Sequence, residues 1–270
     1  MTKKYFIGID SDGTAFDSMT IKHKKAFIPE MIKVWNLHEH AAKVAEICEY
    51  INLYSSTRGI DRFSGLKVTF DRFEASGIPV PDYRDLDGYL AVGKLSNATL
   101  ENYLKTHESA FLTQVLAWSH QADEVFQREV ETLPPFPGVK PALRKAFPLA
   151  DIAVISSASE KSLSADWRKE DLISCTTKVY GQEFGTKKAQ LAAAVTGKYA
   201  PNCTMMIGDA VGDWRAAQSV GAYFYPMIPG KEQQSWELLT GKYLDIYLSG
   251  SFNDDIQQKL LDDFNKVVGD

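Results

Sequence analysis

The residues best suited to chemistry are four aspartates in two pairs, each pair directly after a short apolar run. Asp10 and Asp12 follow the first apolar run of the chain, and Asp209 and Asp213 follow a much later one. Neighbouring carboxylates repel each other and resist burial, so a cation has to compensate them. In α/β folds, ligands bind where such strands end. The pattern predicts one polar site built on both pairs.

Hydroxyl groups and a lysine pair complete this set. Ser156 and Ser157 follow a third apolar run, where hydroxyls either donate to an anion or cap the next helix; taken alone, capping is the better interpretation. Lys187 and Lys188 open a predicted helix, and a site with four carboxylates needs a lysine. Oxygen ligands of this kind suit Mg²⁺, which keeps water ligands for a phosphate. The set predicts phosphoryl transfer, in which the metal and a lysine neutralise the phosphate and a carboxylate attacks it.

Composition limits the other classes of function. The 270 residues carry a net charge of −5, which argues against non-specific binding to nucleic acid or to an anionic membrane. We find no apolar stretch long enough to span a bilayer and no signal-peptide pattern. The three cysteines lie far apart, which argues against a zinc site and favours reduced thiols in a cytoplasmic protein. The sequence does not indicate an oligomeric state.

The elements that must position these residues alternate between strand and helix in the later part of the chain. Such alternation predicts an α/β fold with a doubly wound, Rossmann-like parallel sheet. Predicted strands are 6–9, 152–155, 204–207, 222–225 and 246–248, and predicted helices of the later part include 161–170, 187–198 and 213–220. Residues 18–134 instead read as helical, with apolar stripes such as Phe63, Leu66, Phe70 and Phe73. We therefore expect an α/β core domain of residues 1–17 and 135–270 and a helical domain of residues 18–134.

The order of these motifs resembles that of the haloacid dehalogenase-like (HAD) phosphohydrolase superfamily. Its elements are matched by the DxDGT sequence of 10–14, by Ser156 at a strand end, by Lys187, and by the GDxxxD sequence of 208–213. Pro137–Gly138–Val139 and Trp167 also look like this family. The resemblance covers 1–17 and about 135–270. It implies that 18–134 is a helical cap inserted after the first motif.

The resemblance implies a role for each aspartate. Asp10 would be the nucleophile that forms an aspartyl-phosphate. Asp12 would be the general acid for the leaving group and then the base for water. The Asp10 carboxylate, the Asp12 backbone carbonyl and Asp209 would bind Mg²⁺, and Asp213 would support the water shell of the metal or orient the lysine.

The remaining motif positions follow in the same way. Ser156 would bond a phosphoryl oxygen, with Ser157 beside it as a substrate-binding residue. Lys187 would neutralise the phosphate and Asp10, and we prefer it to Lys188 because Leu191 then stands where the family pattern has an apolar residue. Ser11 departs from the large apolar residue usual between the two aspartates, and we expect altered local packing rather than lost chemistry.

Substrate choice is expected to come from the insert, since the core contacts only the phosphate. The loop 54–59 joins two predicted helices and offers hydroxyls with one cation, Arg58, which could bind a second anionic or polar group of the substrate or simply lie in solvent.

The expected function is that of a Mg²⁺-dependent phosphatase acting on a small phosphorylated metabolite. A sugar-phosphate mutase resembling β-phosphoglucomutase would use the same residues and remains an alternative. A non-catalytic phosphoacceptor or binding module is a third hypothesis, although Asp12 and the long insert have no purpose in such a switch. The sequence does not name the substrate.

Overall fold

The computed structural model of the protein describes residues 2–129 and 133–269. The chain divides into two compact units, one of Met1–Asp17 with Pro134–Asp270 and one of Ser18–Leu133. The division falls one residue before the expected boundary at 134/135. Residues 130–132 of the predicted insert lie outside the described residues. No helix among the described residues is long and apolar enough to cross a membrane.

The α/β unit is built on a five-stranded sheet in the order β3-β2-β1-β4-β5, with every neighbouring pair parallel. Its strands are β1 (Tyr5–Ile9), β2 (Ala150–Ile155), β3 (Lys178–Tyr180), β4 (Thr204–Gly208) and β5 (Tyr223–Pro226). Strands β1, β2 and β4 are buried along their whole length because helices cover both faces of a parallel sheet. The strand order changes direction at β1, which places a topological switch point there.

The regular secondary structure in the described part of the insert is entirely helical. Its α-helices are α1 (Ser18–Ile21), α2 (Ile28–Val34), α3 (Ala41–Leu53), α4 (Arg62–Ala75), α5 (Asp85–Leu90), α6 (Asn97–Leu104) and α7 (Ala110–Glu129), with a π-helical segment at Lys22–Phe27 and a 3₁₀ turn at His38–His40. The stripe Phe63, Leu66, Phe70 and Phe73 on α4 is buried in the insert's own core with Trp118. These residues face one side of the helix because they recur at intervals of three and four.

The described residues of the α/β unit also form seven α-helices. They are α8 (Val139–Ala146), α9 (Glu160–Lys169), α10 (Lys187–Val195), α11 (Val211–Ser219), α12 (Glu232–Leu238), α13 (Leu244–Leu248) and α14 (Asp254–Val268), with 3₁₀ turns at Ile173–Cys175, Gln182–Phe184 and Pro201–Cys203 and a π-helical turn at Leu239–Tyr243. In several of these helices, the side chain of the residue just before the helix caps its N-terminus. Thr186 caps α10 by accepting from the backbone N–H of Ala189, which fixes where the helix carrying Lys187 begins.

One sequence-based strand prediction was wrong, and one strand was missed. Residues 246–248 form the end of α13 rather than a strand. The buried side chains there are Tyr243, Leu244 and Tyr247, whose spacing is helical, and a three-residue apolar run seen alone does not reveal that period. Strand β3 was missed because it has only three residues, lies at the sheet edge and begins with the exposed Lys178.

Candidate active site

The polar residues predicted at strand ends converge because the sheet is parallel. Ile9 of β1 pairs with Val154 of β2 on one side and with Ile207 of β4 on the other, so these strands end at the same edge. Asp10 continues β1, and its backbone N–H donates to the carbonyl of Ile207 at 3.0 Å. Asp209 follows β4 directly, and both aspartates are buried. The topological switch point at β1 thus carries two buried carboxylates.

Lys187 joins Asp10 to Asp213. Its ammonium Nζ donates to Oδ2 of Asp10 at 2.7 Å and to Oδ1 of Asp213 at 2.7 Å. Lys187 is the first residue of α10, so the cap at Thr186 sets the point from which its side chain extends. Lys188 is exposed on the same helix. The geometry therefore favours Lys187 as the motif lysine.

The second oxygens of these carboxylates are also held. Oδ1 of Asp10 accepts from the backbone N–H of Ser11 at 2.7 Å, and Oδ2 of Asp213 accepts from the backbone N–H of Ala210 at 3.2 Å. The hydroxyl of Thr14 donates to Oδ1 of Asp209 at 2.6 Å. Sequence reasoning gave Thr14 no role, although its place at the end of the first motif was a usable signal.

The donor set fits a divalent cation. Asp10, Asp209 and Asp213 are all buried, and each offers one carboxylate oxygen within 4.8 Å of the others. The three carboxylates and the ammonium of Lys187 together carry a formal charge of −2 in a buried site. All three ligand atoms are oxygens, which suits Mg²⁺ rather than a softer metal. The side chain of Asp12 is not part of this cluster.

The pKa shifts of Asp10 and Lys187 are also consistent with a site for a cation. Burial, opposed by the ammonium of Lys187 and reinforced by the neighbouring carboxylates, raises the pKa of Asp10 well above its usual value. Burial alone would lower the pKa of Lys187, but the negative charges of Asp10 and Asp213 outweigh it and raise this pKa. The lysine is therefore charged at neutral pH, and a further positive charge in the cluster would favour the ionised form of Asp10.

Asp12 lies in a different environment from Asp10. It is half-buried, while Asp10 is buried. The pKa of Asp166 on α9 is raised by burial and then by the negative charge of Asp12, so the two carboxyl groups are electrostatic neighbours. Asp12 is thus partly accessible to solvent, unlike Asp10.

The serines after β2 divide into different environments. Ser156 is buried at the strand end, and its Oγ accepts from the backbone N–H of Ala158 at 3.3 Å. Ser159 caps α9 by accepting from the N–H of Ser162, so the capping role predicted for this segment falls to Ser159. Ser157 is exposed. The assignment of Ser157 to substrate binding stays a prediction.

Ser11 has a specific partner. Its hydroxyl oxygen accepts from the indole N–H of Trp167 at 3.0 Å, and both residues are buried. A second indole, that of Trp236, donates to the backbone carbonyl of Thr14 at 2.8 Å. The small polar residue between the two aspartates therefore accepts the hydrogen bond that a buried indole requires.

Arg58 belongs to the insert, where it is buried and donates through Nη1 to the carbonyl of Leu53 at 2.8 Å. The hydroxyls of Ser55 and Thr57 both donate to the carbonyl of Ile51, at 2.9 and 2.6 Å. These carbonyls end α3 and lack helical partners. The loop predicted to select substrate thus uses these polar groups to cap a helix, and a substrate contact by Arg58 stays a prediction.

Comparison with known proteins gives matches among solved structures alone. No protein-family model matches the chain, and no curated protein sequence matches it. A haloacid dehalogenase-like protein of unknown function from Agrobacterium tumefaciens is similar with a TM-score of 0.50 and 14% identity, over 83% of this chain and 82% of the other. A hydrolase of the haloacid dehalogenase-like family from Streptococcus pneumoniae is 16% identical over 88% of this chain and 92% of the other, with a TM-score of 0.45.

These similarities concern the fold, since the sequence identity is low. Three observations indicate the same fold. They are the strand order, the position of the carboxylates at the switch point and the structural similarity to the Agrobacterium protein. The chain has a haloacid dehalogenase-like fold.

Proposed function

We propose that the protein is a Mg²⁺-dependent phosphatase that hydrolyses a small phosphorylated metabolite through an aspartyl-phosphate on Asp10. The observation that carries the proposal is the Lys187 ammonium, 2.7 Å from both Asp10 and Asp213 within a cluster of three buried carboxylates. One lysine and one divalent cation would balance the three carboxylates. A phosphoryl group needs such a concentration of positive charge, because negative charge spreads over its oxygens in the transition state.

The metal would be held by the carboxylates of Asp10, Asp209 and Asp213 and, as the family resemblance implies, by the backbone carbonyl of Asp12. When bound, Mg²⁺ would neutralise phosphoryl oxygens as a Lewis acid. Thr14 fixes one oxygen of Asp209 by its hydrogen bond and so orients the carboxylate.

The first chemical step belongs to Asp10. One of its carboxylate oxygens attacks phosphorus, a new P–O bond forms, and the bond from phosphorus to the leaving oxygen breaks. The carboxyl group of Asp12 gives its proton to that oxygen, which departs as an alcohol. The ammonium of Lys187 and the hydroxyl of Ser156 stabilise charge on the phosphoryl oxygens.

Hydrolysis then uses Asp12 as a base. Its carboxylate takes a proton from water, the water oxygen attacks phosphorus, and the bond between phosphorus and Asp10 breaks. Phosphate leaves, and Asp12 is protonated for the next cycle. The half-exposed position of Asp12 supports this role, because a group that exchanges protons with water needs access to it.

The test is a phosphate-release assay of the purified full chain with sugar phosphates, nucleotides and phosphorylated acids, with Mg²⁺ or with a chelator. We expect release that requires Mg²⁺ and is lost in Asp10→Asn. Asp255→Asn, an exposed aspartate on α14, is the matched control and should retain activity. An isomerised sugar phosphate without released phosphate would replace the proposal with a mutase. Stable phosphorylation without turnover would indicate a phosphoacceptor module.

A further inference from the structure

Gln190 is a fully buried polar side chain one turn along α10 from Lys187. Its amide nitrogen Nε2 donates to three backbone carbonyls, those of Ser156 at 3.0 Å, Gly181 at 2.9 Å and Gly185 at 2.9 Å. These acceptors lie at the end of β2, just after β3 and in the turn before α10. One side chain therefore connects three separate turns at the edge of the candidate site.

The chemistry of the amide explains why glutamine suits this position. An NH₂ group has two hydrogens, so three acceptors within 3.0 Å require at least one shared hydrogen. A hydrophobic side chain would leave buried carbonyls without this donor, and a carboxylate would repel them. The acceptors can approach closely because two of them are glycines: a Cβ on Gly181 would overlap the backbone nitrogen of Glu160, and Gly185 has a φ of 89°.

Two of these three turns carry or directly precede a group of the proposed reaction. Ser156 supplies the buried hydroxyl, and Gly185 lies two residues before Lys187. The segments that follow β2 and β3 are already joined by two backbone hydrogen bonds. The N–H of Ser156 donates to the carbonyl of Tyr180, and the N–H of Gln182 donates to the carbonyl of Ala158. Gln190 adds a connection from the helix that carries the lysine itself.

We propose that Gln190 is a positioning residue that fixes the Ser156 turn relative to the start of α10, so that the Ser156 hydroxyl and the Lys187 ammonium bind the same phosphoryl group. The inference rests on the proposed function for its catalytic meaning. Gln190 acts through the backbone of Ser156 and the turn before Lys187, and it takes no part in bond making.

The structural half of the proposal is tested without turnover. Hydrogen–deuterium exchange is measured on the full chain for the wild type, for Gln190→Met and for Gln190→Asn, whose amide is one methylene shorter. We expect faster exchange in both 156–160 and 181–186 and little change in 10–14. Gln218→Met, at an exposed position on α11, is the matched control. Unchanged exchange in either of the two segments would overturn the inference, whether or not the protein is a phosphatase.

The catalytic half uses an aryl phosphate substrate and inorganic phosphate as product inhibitor. We expect Gln190→Met to raise KM and the phosphate inhibition constant by about tenfold, because the two phosphate contacts are no longer aligned. A smaller folded fraction would lower kcat and leave both constants unchanged. Gln190→Asn should fall between wild type and Gln190→Met.

A double-mutant cycle identifies the route of the effect. In a Ser156→Ala background the substitution Gln190→Met should cost much less than in the wild type, because the hydroxyl that it positions is gone. Fully additive effects would refute positioning through Ser156. A wild-type protein that hydrolyses no phosphate ester would refute the proposed function instead, and the exchange measurement would still decide whether Gln190 holds the two turns together.

Discussion

At the residue scale, the two aspartates of the first motif have environments suited to different work. Asp10 is buried and fixed by an ammonium on one oxygen and a backbone N–H on the other. Asp12 is half-buried and is an electrostatic neighbour of Asp166 on α9. A rigidly held carboxylate suits in-line attack, and an accessible one suits proton exchange.

This difference predicts opposite behaviour of two variants with p-nitrophenyl phosphate. Asp10→Asn should form no covalent intermediate, because the nucleophile is gone. Asp12→Ala should still be phosphorylated, since p-nitrophenolate leaves without a proton, but it should hydrolyse slowly because the attacking water has lost its base. Rapid quenching followed by mass spectrometry should find the phosphoryl group on Asp10 of the Asp12→Ala protein. Label on another residue, or an equal burst from Asp10→Asn, would reverse the assignment.

A second prediction at this scale concerns the lysine pair. Lys187→Met should lower kcat with an aryl phosphate by about 10²–10³-fold, the usual effect of removing one strong stabilising group from a transition state. It also leaves Asp10 and Asp213 without their shared donor. Lys188→Met removes the same charge from an exposed position one residue along and should remain close to wild type. Steady-state kinetics of both variants show which lysine stabilises the transition state. Loss of activity in the Lys188 variant alone would assign this role to Lys188.

At the element scale, the end of β4 shows how a strand and the following helix share one site. The side chain of Asp213, in the first turn of α11, folds back against Gly208 and accepts from the N–H of Ala210. A Cβ on Gly208 would overlap Cβ and Cγ of Asp213. The glycine is therefore required by the close approach of a site carboxylate and not by a left-handed backbone.

Gly208→Ala should consequently impair both the site and the fold. We expect a loss of kcat/KM of at least about tenfold from the displaced carboxylate and a destabilisation of about 1–3 kcal/mol from overpacking. Gly212→Ala is the matched control on α11, because nothing lies within 4 Å of its added Cβ, and it should be neutral or stabilising by up to about 1 kcal/mol. Kinetics and thermal unfolding of both variants test this, and an active Gly208→Ala protein would contradict the geometry.

Most secondary-structure elements could be predicted from the sequence, but contacts between distant elements could not. Four of the five strands were predicted because each is a short apolar run, and the change to polar residues after β1 and β4 identified Asp10, Asp209 and Asp213. The role of Gln190 could not be predicted, since a glutamine on a helix ordinarily faces water and only the tertiary fold brings three carbonyls around it. The bond from Trp167 to Ser11 joins residues 156 positions apart and has no local signal either.

At the scale of the whole molecule, the two units have separate cores and different buried charges. The α/β unit buries the carboxylates of its site around Lys187. The described part of the insert buries two basic side chains, His23 and Arg58, together with the acidic Glu30. His23, in the π-helical segment after α1, is buried with its ring edge-on to Phe27 at 5.3 Å between centroids. Burial, and then the charges of Lys22, Arg58 and Arg62, lower the pKa of His23 to about 3.

The low pKa of His23 predicts a specific loss of stability in acid. Below the ordinary histidine pKa of 6.5, His23 is protonated in the unfolded chain. In the folded chain it stays neutral until the pH approaches its lowered pKa of about 3. The free energy of unfolding should therefore fall by about 1.4 kcal/mol for each pH unit across this window from His23 alone. His23→Gln removes the titrating group, so its stability relative to wild type should increase steadily as the pH is lowered from 6.5 towards 4. His107→Gln, which removes an exposed imidazole of the same unit, is the control variant. Urea unfolding of the three proteins at several pH values measures these differences in the free energy of unfolding. If this free energy differed between wild type and His23→Gln by the same amount at every pH, His23 would be protonated equally in the folded and unfolded states, and the prediction would be wrong.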